Sequence, residues 1–338
     1  MNLLPSISVI MPVYNEEAKI GNALKSIRTQ EYPQDKIEII LVDDDSKDRT
    51  LEIAKMYNIA YVRNGHHDYD IGKSLGIKKA KHEYLLFLDG DNILPHKSWL
   101  KTLVSPLINE KDVVGAQPIW FTYDRKHSLA DRYCTLFGIT DPLTIYLKKR
   151  DRLMLHEKKW NLVKKYQDKG GYFSVIFNED NLPTIGSVGF IIKRTDILRT
   201  NYTPKFSHLD CMVDLIKQNK NKFAMVKLDI IHLHSSTIKE LLKKLDRNMN
   251  IYLRDRKERR YTWKASKIMV FFATLQMLTF VVPFYHSLRG FLKIKDWAWL
   301  IHPYICFRVA SMYSAKFIKY GISNLLNFRF SYAQPQVN

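Results

Sequence analysis

EYLLFLDGDN, residues 83–92, joins a continuous apolar run to an abrupt Asp-Gly-Asp. An apolar run that ends on a turn signal predicts a strand buried on both faces, as a parallel sheet requires. Upstream, ISVIMPVY (7–14) is a β-branched run ending in a turn, and residues 16–30 place Ile20, Ala23, Leu24 and Ile27 at helical spacing. KIEIILVDDD (36–45) predicts a second strand that stops on three acids, and SKDRTLEIAKMYN (46–58) predicts a helix capped by Ser46. IAYVRN (59–64) reads as a short strand and DIGKSLGIKKAK (70–81) as a Gly-broken helix. Buried strands alternating with amphipathic helices predict an α/β fold, a mostly parallel sheet flanked by helices. Ligands of such sheets gather at the carboxyl ends of strands, where PVYNE (12–16), DDDS (43–46) and DGD (89–91) fall. Residues 116–180 are less regular. Beyond them, PTIGSVGFIIKRTDIL (183–198) reads as a Gly turn, a strand and a helix start. KFAMVKLDIIHLH (222–234) is a strand with His232 and His234 on one face.

Asp89 and Asp91, lifted out of the sheet around Gly90, can bind one hard divalent cation and leave positions open for phosphate oxygens. A lone Asp-x-Asp is more often an ordinary acidic turn, but two more acid-bearing strand ends beside it favour the site. Asp43, Asp44 and Asp45 are too acidic to cradle phosphate. Their carboxylates can instead accept hydrogen bonds from a nucleobase N–H or ribose hydroxyls.

The ordered set PVYNE, VDDDSKDRT (42–50), GKSLGIKKAK (72–81), EYLLFLDGDN and IGSVGFIIKR (185–194) resembles the family-2 glycosyltransferases of the GT-A fold over about residues 6–240. That resemblance implies transfer of a hexose from a UDP- or GDP-sugar with inversion, assisted by Mn²⁺ or Mg²⁺. It implies that Pro12, Tyr14 and Glu16 line the nucleoside pocket, and that Asp44 contacts the base. Asp89 and Asp91 then handle ribose, metal and diphosphate, and Lys73 stands near the diphosphate. Asp45 occupies a position where Gly is common, and Ser74 one where Asn is common. The family's acceptor-side carboxylate matches Asp210 in PKFSHLDCMVDLI (204–216), with Leu209 in place of Glu and His208 close by. A helix cap is the competing role for Asp210. Of the two strand-end histidines, His232 is the expected metal or diphosphate contact.

The 338 residues carry 53 Lys and Arg against 34 Asp and Glu, a net charge of +19. Three scattered cysteines, Cys134, Cys211 and Cys306, exclude a disulfide framework. The opening residues lack the basic n-region of a secretory signal. Nine basic residues against three acidic crowd 148–169, and eleven against four crowd 239–267. The first segment suits either steering of a phosphate head group or a solvated helical face. From Ile268 to Leu288, 21 residues carry no formal charge. A polybasic stretch adjoining an apolar one fits a membrane's cytoplasmic leaflet, and no nucleic-acid recognition module is present. No Gly-rich, Lys-bearing first loop supports a nucleotidyltransferase.

The expected organisation is therefore a catalytic domain at 1–235, with a nucleotide-sugar half to about 115 and an acceptor half from 116. A basic amphipathic helix at 236–267, membrane-associated helices at 268–325 and a C-terminal tail at 326–338 follow. Pro283, Ser287, Gly290, Phe291, Lys295, Asp296, Ala298, Trp299, His302 and Pro303 also resemble a tail motif of bacterial and archaeal family-2 enzymes. The expected partners are the nucleotide-sugar donor, a lipid-linked acceptor and membrane lipid. The catalytic domain is expected on the cytoplasmic side.

Overall fold

A computed structural model describes residues 4–257, 259 and 267–331, with backbone alone at 267 and 321–331. In chain order the strands are β1 (Ile7–Val13), β2 (Ile37–Asp43), β3 (Tyr61–Arg63), β4 (Tyr84–Phe87), β5 (Asn92–Ile93), β6 (Val113–Phe121), β7 (Tyr166–Asp168), β8 (Tyr172–Ile176), β9 (Phe190–Lys193) and β10 (Lys222–His232). The helices are α1 (Ile20–Arg28), α2 (Thr50–Met56), α3 (Tyr69–Lys79), α4 (Trp99–Asn109), α5 (Leu129–Phe137) and α6 (Leu143–Tyr146). They continue with α7 (Arg194–Ile197), α8 (His208–Lys217), α9 (Ile238–Asp255), α10 (Lys267–Leu278), α11 (Val281–Lys293) and α12 (His302–Ser331).

The sheet runs β3-β2-β1-β4-β9-β6-β10-β8-β7, with β5 added against β10. β1, β2, β3 and β4 pair in parallel, as do β6 and β10. β9 lies antiparallel between β4 and β6, so β6 and β10 share the direction of β4. The expected mostly parallel α/β fold is present. Alternation along the strands divides the core by face. Val9, Met11 and Leu86 join the layer of α1 and α4; Ile10, Leu85 and Phe87 join the layer of α3 and α8. The Gly within α3 has a packing reason, because a Cβ on Gly76 would lie 2.5 Å from Ile10 Cγ2.

Three local expectations change, and the departure at Asp45 finds its reason. Ser46 does not cap α2, which starts at Thr50. Its hydroxyl instead accepts the Asn15 N–H at 3.0 Å, tying the β1 and β2 loops together, while Asp48 Oδ1 accepts the Thr50 N–H at 3.0 Å. Asp45 adopts φ 64°, the left-handed geometry that favours Gly, and Arg63 holds its carboxylate at 2.6 Å. Within 116–180 the structure forms most of β6, then α5, α6, β7 and β8. Pro118 obscured β6 in the sequence; β9 pairs only with Gly115 and Ala116 of β6, so Pro118 meets no ladder on that side. Between α6 and β7 the basic segment forms no helix, and Lys149, Arg150 and Arg152 are buried. Lys149 donates to Asp180 O at 2.6 Å, Arg150 binds Glu157 at 2.9 Å and Arg152 binds Asp151 at 2.8 Å.

A third core cluster joins α5 and α9 to α10 and α12. The tail motif makes this joint. Asp296 accepts the Tyr123 hydroxyl at 2.5 Å and faces Arg132 at 3.2 Å. His302 is held between the Tyr133 and Tyr146 hydroxyls at 2.9 and 3.1 Å, and Trp299 meets the Phe137 ring at 4.5 Å. The apolar run from Ile268 is not one helix: α10 and α11 meet at 66°. Phe280, at φ 62°, turns the chain, and Pro283 falls in the first turn of α11, where its missing N–H costs nothing. Among the described residues no single helix is long and apolar enough to cross a membrane, but this bent pair passes on length and composition. Of the basic segment at 236–267, α9 is described; residues 258 and 260–266 lie outside the described residues, as does 332–338 of the tail.

Candidate active site

β1, β2, β4, β6 and β10 all end on one edge of the sheet. Strand order reverses between β1 and β4, which opens a crevice at their carboxyl ends. The Asp-x-Asp loop leaves β4 there. β9 and β6 separate β4 from β10 in the sheet, yet β5 pairs Asn92 with His232 and Ile93 with Ile231. That short antiparallel contact carries Asp89 and Asp91 across to the end of β10. One ligand atom from each of Asp89, Asp91 and His232 lies within 4.8 Å of the others. His232 Nε2 stands 3.5 Å from Asp91 Oδ1. Asn92 fixes the loop, its Oδ1 accepting the Asp89 N–H at 2.8 Å and its amide donating to Asp91 Oδ1 at 2.9 Å. The Leu233 N–H donates to Asp91 O at 3.1 Å.

The charges here are crowded and poorly hydrated. Burial pushes the Asp91 carboxyl up to about 6. Burial, then the negative charges of Asp91 and Glu16, pushes Asp89 well above the usual carboxylate range. Glu16 packs against Gly90, and burial followed by Asp91 raises it to about 7. Burial, then Arg152, Lys244 and Lys19, holds His232 down to about 3, so its imidazole is neutral and able to ligate. Its Nδ1 is buried without a hydrogen-bond partner among the described residues. Two carboxylates and a neutral imidazole make a mixed oxygen–nitrogen donor set. A divalent cation there would relieve the carboxylate repulsion, so the residues fit Mn²⁺ or Mg²⁺, the nitrogen favouring Mn²⁺.

The other predicted residues take different places. Pro12 is buried in β1, its Cβ 3.6 Å from where a Cβ on Gly72 of α3 would lie. Tyr14 is 51% exposed and meets the His67 ring edge-on at 6.3 Å, and the Asp44 carboxylate accepts the His67 N–H at 2.9 Å. Tyr14, Asp44 and His67 thus form one rim of the crevice. Lys73 is buried in α3, with Nζ 4.3 Å from the centre of the Tyr69 ring and 3.5 Å from Ser187 Oγ. Burial lowers its pKa to about 8, against the opposing pull of Asp70. Asp210 is buried in the first turn of α8, and Ser207 rather than Asp210 takes the N-cap position. The start of α8 is anchored over β4 by Phe206, which stacks on Phe87 at 4.7 Å and donates its N–H to Asp70 O at 2.9 Å. Burial, then Lys73 and Arg259, holds the nearby His208 down to about 3.

Sequence reasoning missed the cations around the cluster. Arg152 packs on the Phe121 ring at 4.4 Å and donates to Val188 O at 2.6 Å. Lys244 reaches back from α9 to His234 O, and Lys19 lies 3.8 Å from Glu16. Arg152 and Lys244 belong to the two basic segments, so their charge was visible, but their aim was not.

Residues 8–180, half of the chain, match the sequence profile described as "Glycosyl transferase family 2". The chain is 36% identical over 137 residues to glycosyltransferase AglE of Haloferax volcanii, which covers 38% of this chain and 44% of AglE. It is 34% identical over 100 residues to the poly(ribitol-phosphate) beta-N-acetylglucosaminyltransferase TarS of Staphylococcus aureus, covering 28% of this chain and 17% of TarS. The chain thus spans less than half the length of these curated relatives. Among solved structures, a mannosyltransferase from Pyrobaculum calidifontis in complex with GDP-Man and Mn²⁺ aligns over 99% of this chain and 82% of its own, at 15% identity and a TM-score of 0.48. The matched stretch holds β1 through β8, with both crevice-lining acid clusters and the Asp-x-Asp loop, and the chain belongs to glycosyl transferase family 2.

Proposed function

We propose that the protein is an inverting, metal-dependent glycosyltransferase. It moves a hexose from a UDP- or GDP-sugar to a membrane-borne acceptor, lipid-linked or polyprenyl phosphate, with its α/β domain on the cytoplasmic side. The observation that carries this reading is the Asp89–Asp91–His232 cluster at the carboxyl edge of the sheet. The nucleoside rests on the rim of Tyr14 and Asp44, and Asp89, Asp91 and His232 hold Mn²⁺ or Mg²⁺. Bound there, the cation supplies positive charge to the departing diphosphate. Arg152, Lys244 and Lys19, which act electrostatically on His232, add fixed positive charge beside it.

In the transfer, an acceptor oxygen bonds to the anomeric carbon from the face opposite the diphosphate. The bond from that carbon to the diphosphate oxygen breaks, and its electron pair leaves with the nucleoside diphosphate. Asp210 takes the acceptor proton when the acceptor is a hydroxyl. For a phosphate acceptor, already ionised near neutral pH, orientation replaces proton removal. A second reading, a hydroxyl on a surface polymer as acceptor, draws support from the relatives named for poly(ribitol-phosphate) and teichoic acid.

The test is release of nucleoside diphosphate by protein in detergent with Mn²⁺, against a panel of UDP- and GDP-sugars and lipid acceptors. Product mass spectrometry assigns sugar and acceptor. Turnover that disappears in Asp91→Ala is expected. Donor binding without turnover for any acceptor would point to a non-catalytic scaffold, and full turnover in Asp210→Asn would remove the base assignment.

A further inference from the structure

α10 and α11 each give one face to the protein. Ala273 and Met277 of α10 are buried, the latter in the third core cluster; Pro283, Ser287 and Gly290 of α11 are buried, with Gly290 against Trp299. Their exposed residues are mostly apolar, with Gln276 on α10 and Arg289 and Lys293 on α11 among them. On α10 the apolar ones are Ile268, Phe271, Phe272 and Leu275; on α11 they are Val281, Phe284, Leu288 and Leu292. Monomeric soluble proteins rarely expose so many large apolar side chains on neighbouring helices. Three further aromatic side chains of this C-terminal part are exposed: Tyr285 on α11, Trp297, which packs on Phe291 of α11 at 5.5 Å, and Tyr304 on α12. Trp and Tyr suit a zone with apolar chains on one side and water on the other.

Charge identifies the occupant. From Ile268 to Ser331 the chain carries seven Lys or Arg and a single acid, Asp296, which is buried against Arg132 and Tyr123. Arg289 and Lys293 are exposed on α11 itself, Lys295 lies 4.9 Å from the Phe291 ring of α11, and Arg308 is exposed on α12. An exposed apolar face on a basic segment complements a bilayer surface with anionic head groups. Geometry identifies the depth. Over the described residues the helices, 12 and 13 residues long, reach about 18 and 20 Å, short of the ~30 Å hydrocarbon core, and they meet at 66° with one face of each already packed.

We propose that α10 and α11 form a bent wedge that docks the protein onto one leaflet of an anionic membrane without crossing it. This rests on the membrane-bound reading above and not on the transferase chemistry.

The test uses the full chain and flotation with vesicles of phosphatidylcholine, with and without phosphatidylglycerol. Wild type should float with the mixed vesicles, less so at high salt. Phe271→Glu/Phe284→Glu should reduce partitioning about tenfold or more while keeping the wild-type unfolding temperature, since both side chains are exposed. The part of the tryptophan fluorescence that Trp297→Phe removes should be quenched in wild type by lipids brominated near the head group more than by lipids brominated near the chain end. This second readout stands even if the double Glu variant fails to fold. Bound wild type matched by an equally bound, folded variant would overturn the wedge and leave the membrane reading standing. Strong deep quenching, or resistance to alkaline carbonate extraction, would overturn docking in one leaflet. Wild type that never floats would overturn both, and a dimer in light scattering that the same variant dissolves would assign the face to a second copy.

Discussion

Substituting Gly290 tests whether the C-terminal helices are built onto the family-2 domain as described. A Cβ at this position would lie 2.3, 2.4 and 2.5 Å from three atoms of the Trp299 ring, where carbon atoms need about 3.5 Å or more. The ring would have to recede by roughly 1 Å, and it is pinned. Trp299 has no exposed surface, its ring centre lies 4.5 Å from that of Phe137 and 5.5 Å from that of His156. Inserting one methylene group into a packed core costs about 1–3 kcal/mol, and a clash with three ring atoms belongs at the upper end. Against that stands the gain of about 1 kcal/mol for Gly→Ala inside a helix, since Gly290 needs no left-handed backbone. Gly290→Ala should therefore lose about 2 kcal/mol, which for a chain of this size lowers the unfolding temperature by roughly 3 °C. The assay is thermal unfolding at one scan rate, with limited proteolysis of the tail as a local readout. Trp299→Leu should be destabilising alone, yet less so in the Gly290→Ala background, with a coupling of about 1–2 kcal/mol. A Gly290→Ala protein as stable as wild type, or more stable, refutes the packing of Gly290 on Trp299 and with it the joint.

Mn²⁺ at a hundred times its dissociation constant should stabilise wild type by about 2.7 kcal/mol in thermal unfolding and leave Asp91→Ala unchanged; equal shifts in both would place the cation elsewhere. His232→Ala should weaken Mn²⁺ binding by at least about tenfold in calorimetry, while His234→Ala should change it much less; the reverse order would exchange the two histidines. His208 supplies a pH test. Its folded pKa is about 3 and its ordinary value 6.5, so the unfolded chain takes up the proton first. The stability it contributes is complete above about pH 6.5 and is lost on acidification from there towards pH 3, by about 1.4 kcal/mol per unit. His208→Gln should flatten the wild-type curve below pH 6.5; parallel curves for the two proteins would mean that His208 is hydrated in the native state.

The alternation from Ile7 to Asp91 was legible because strand and helix periods are local properties of side-chain order. Val9 and Ile10 point to opposite layers for the same reason that the pattern could be read. The acids ending β1, β2 and β4 were equally visible. β6 was not, because Gly115, Gln117 and Pro118 interrupt its apolar run, and only its neighbours in the sheet make that tolerable. The basic segment at 148–169 misled in another way. Charge predicts solvent exposure unless a partner is supplied, and Asp151, Glu157 and the Asp180 carbonyl are supplied to residues that fold inward.

Residue order was enough for the class of fold, the sheet edge on which chemistry could occur, the Asp-x-Asp pair, and the surplus of positive charge. All of these follow from residue type and spacing within a few tens of residues. Only the packed fold brought β5 to β10 and with it His232 to Asp91, more than 140 positions away. It also turned Arg152 and Lys244 towards that cluster, broke the apolar run at Phe280, and closed the tail onto α5 through Trp299 and His302. Contacts between distant segments are set by the free energy of burying the whole core. No local pattern carries that sum.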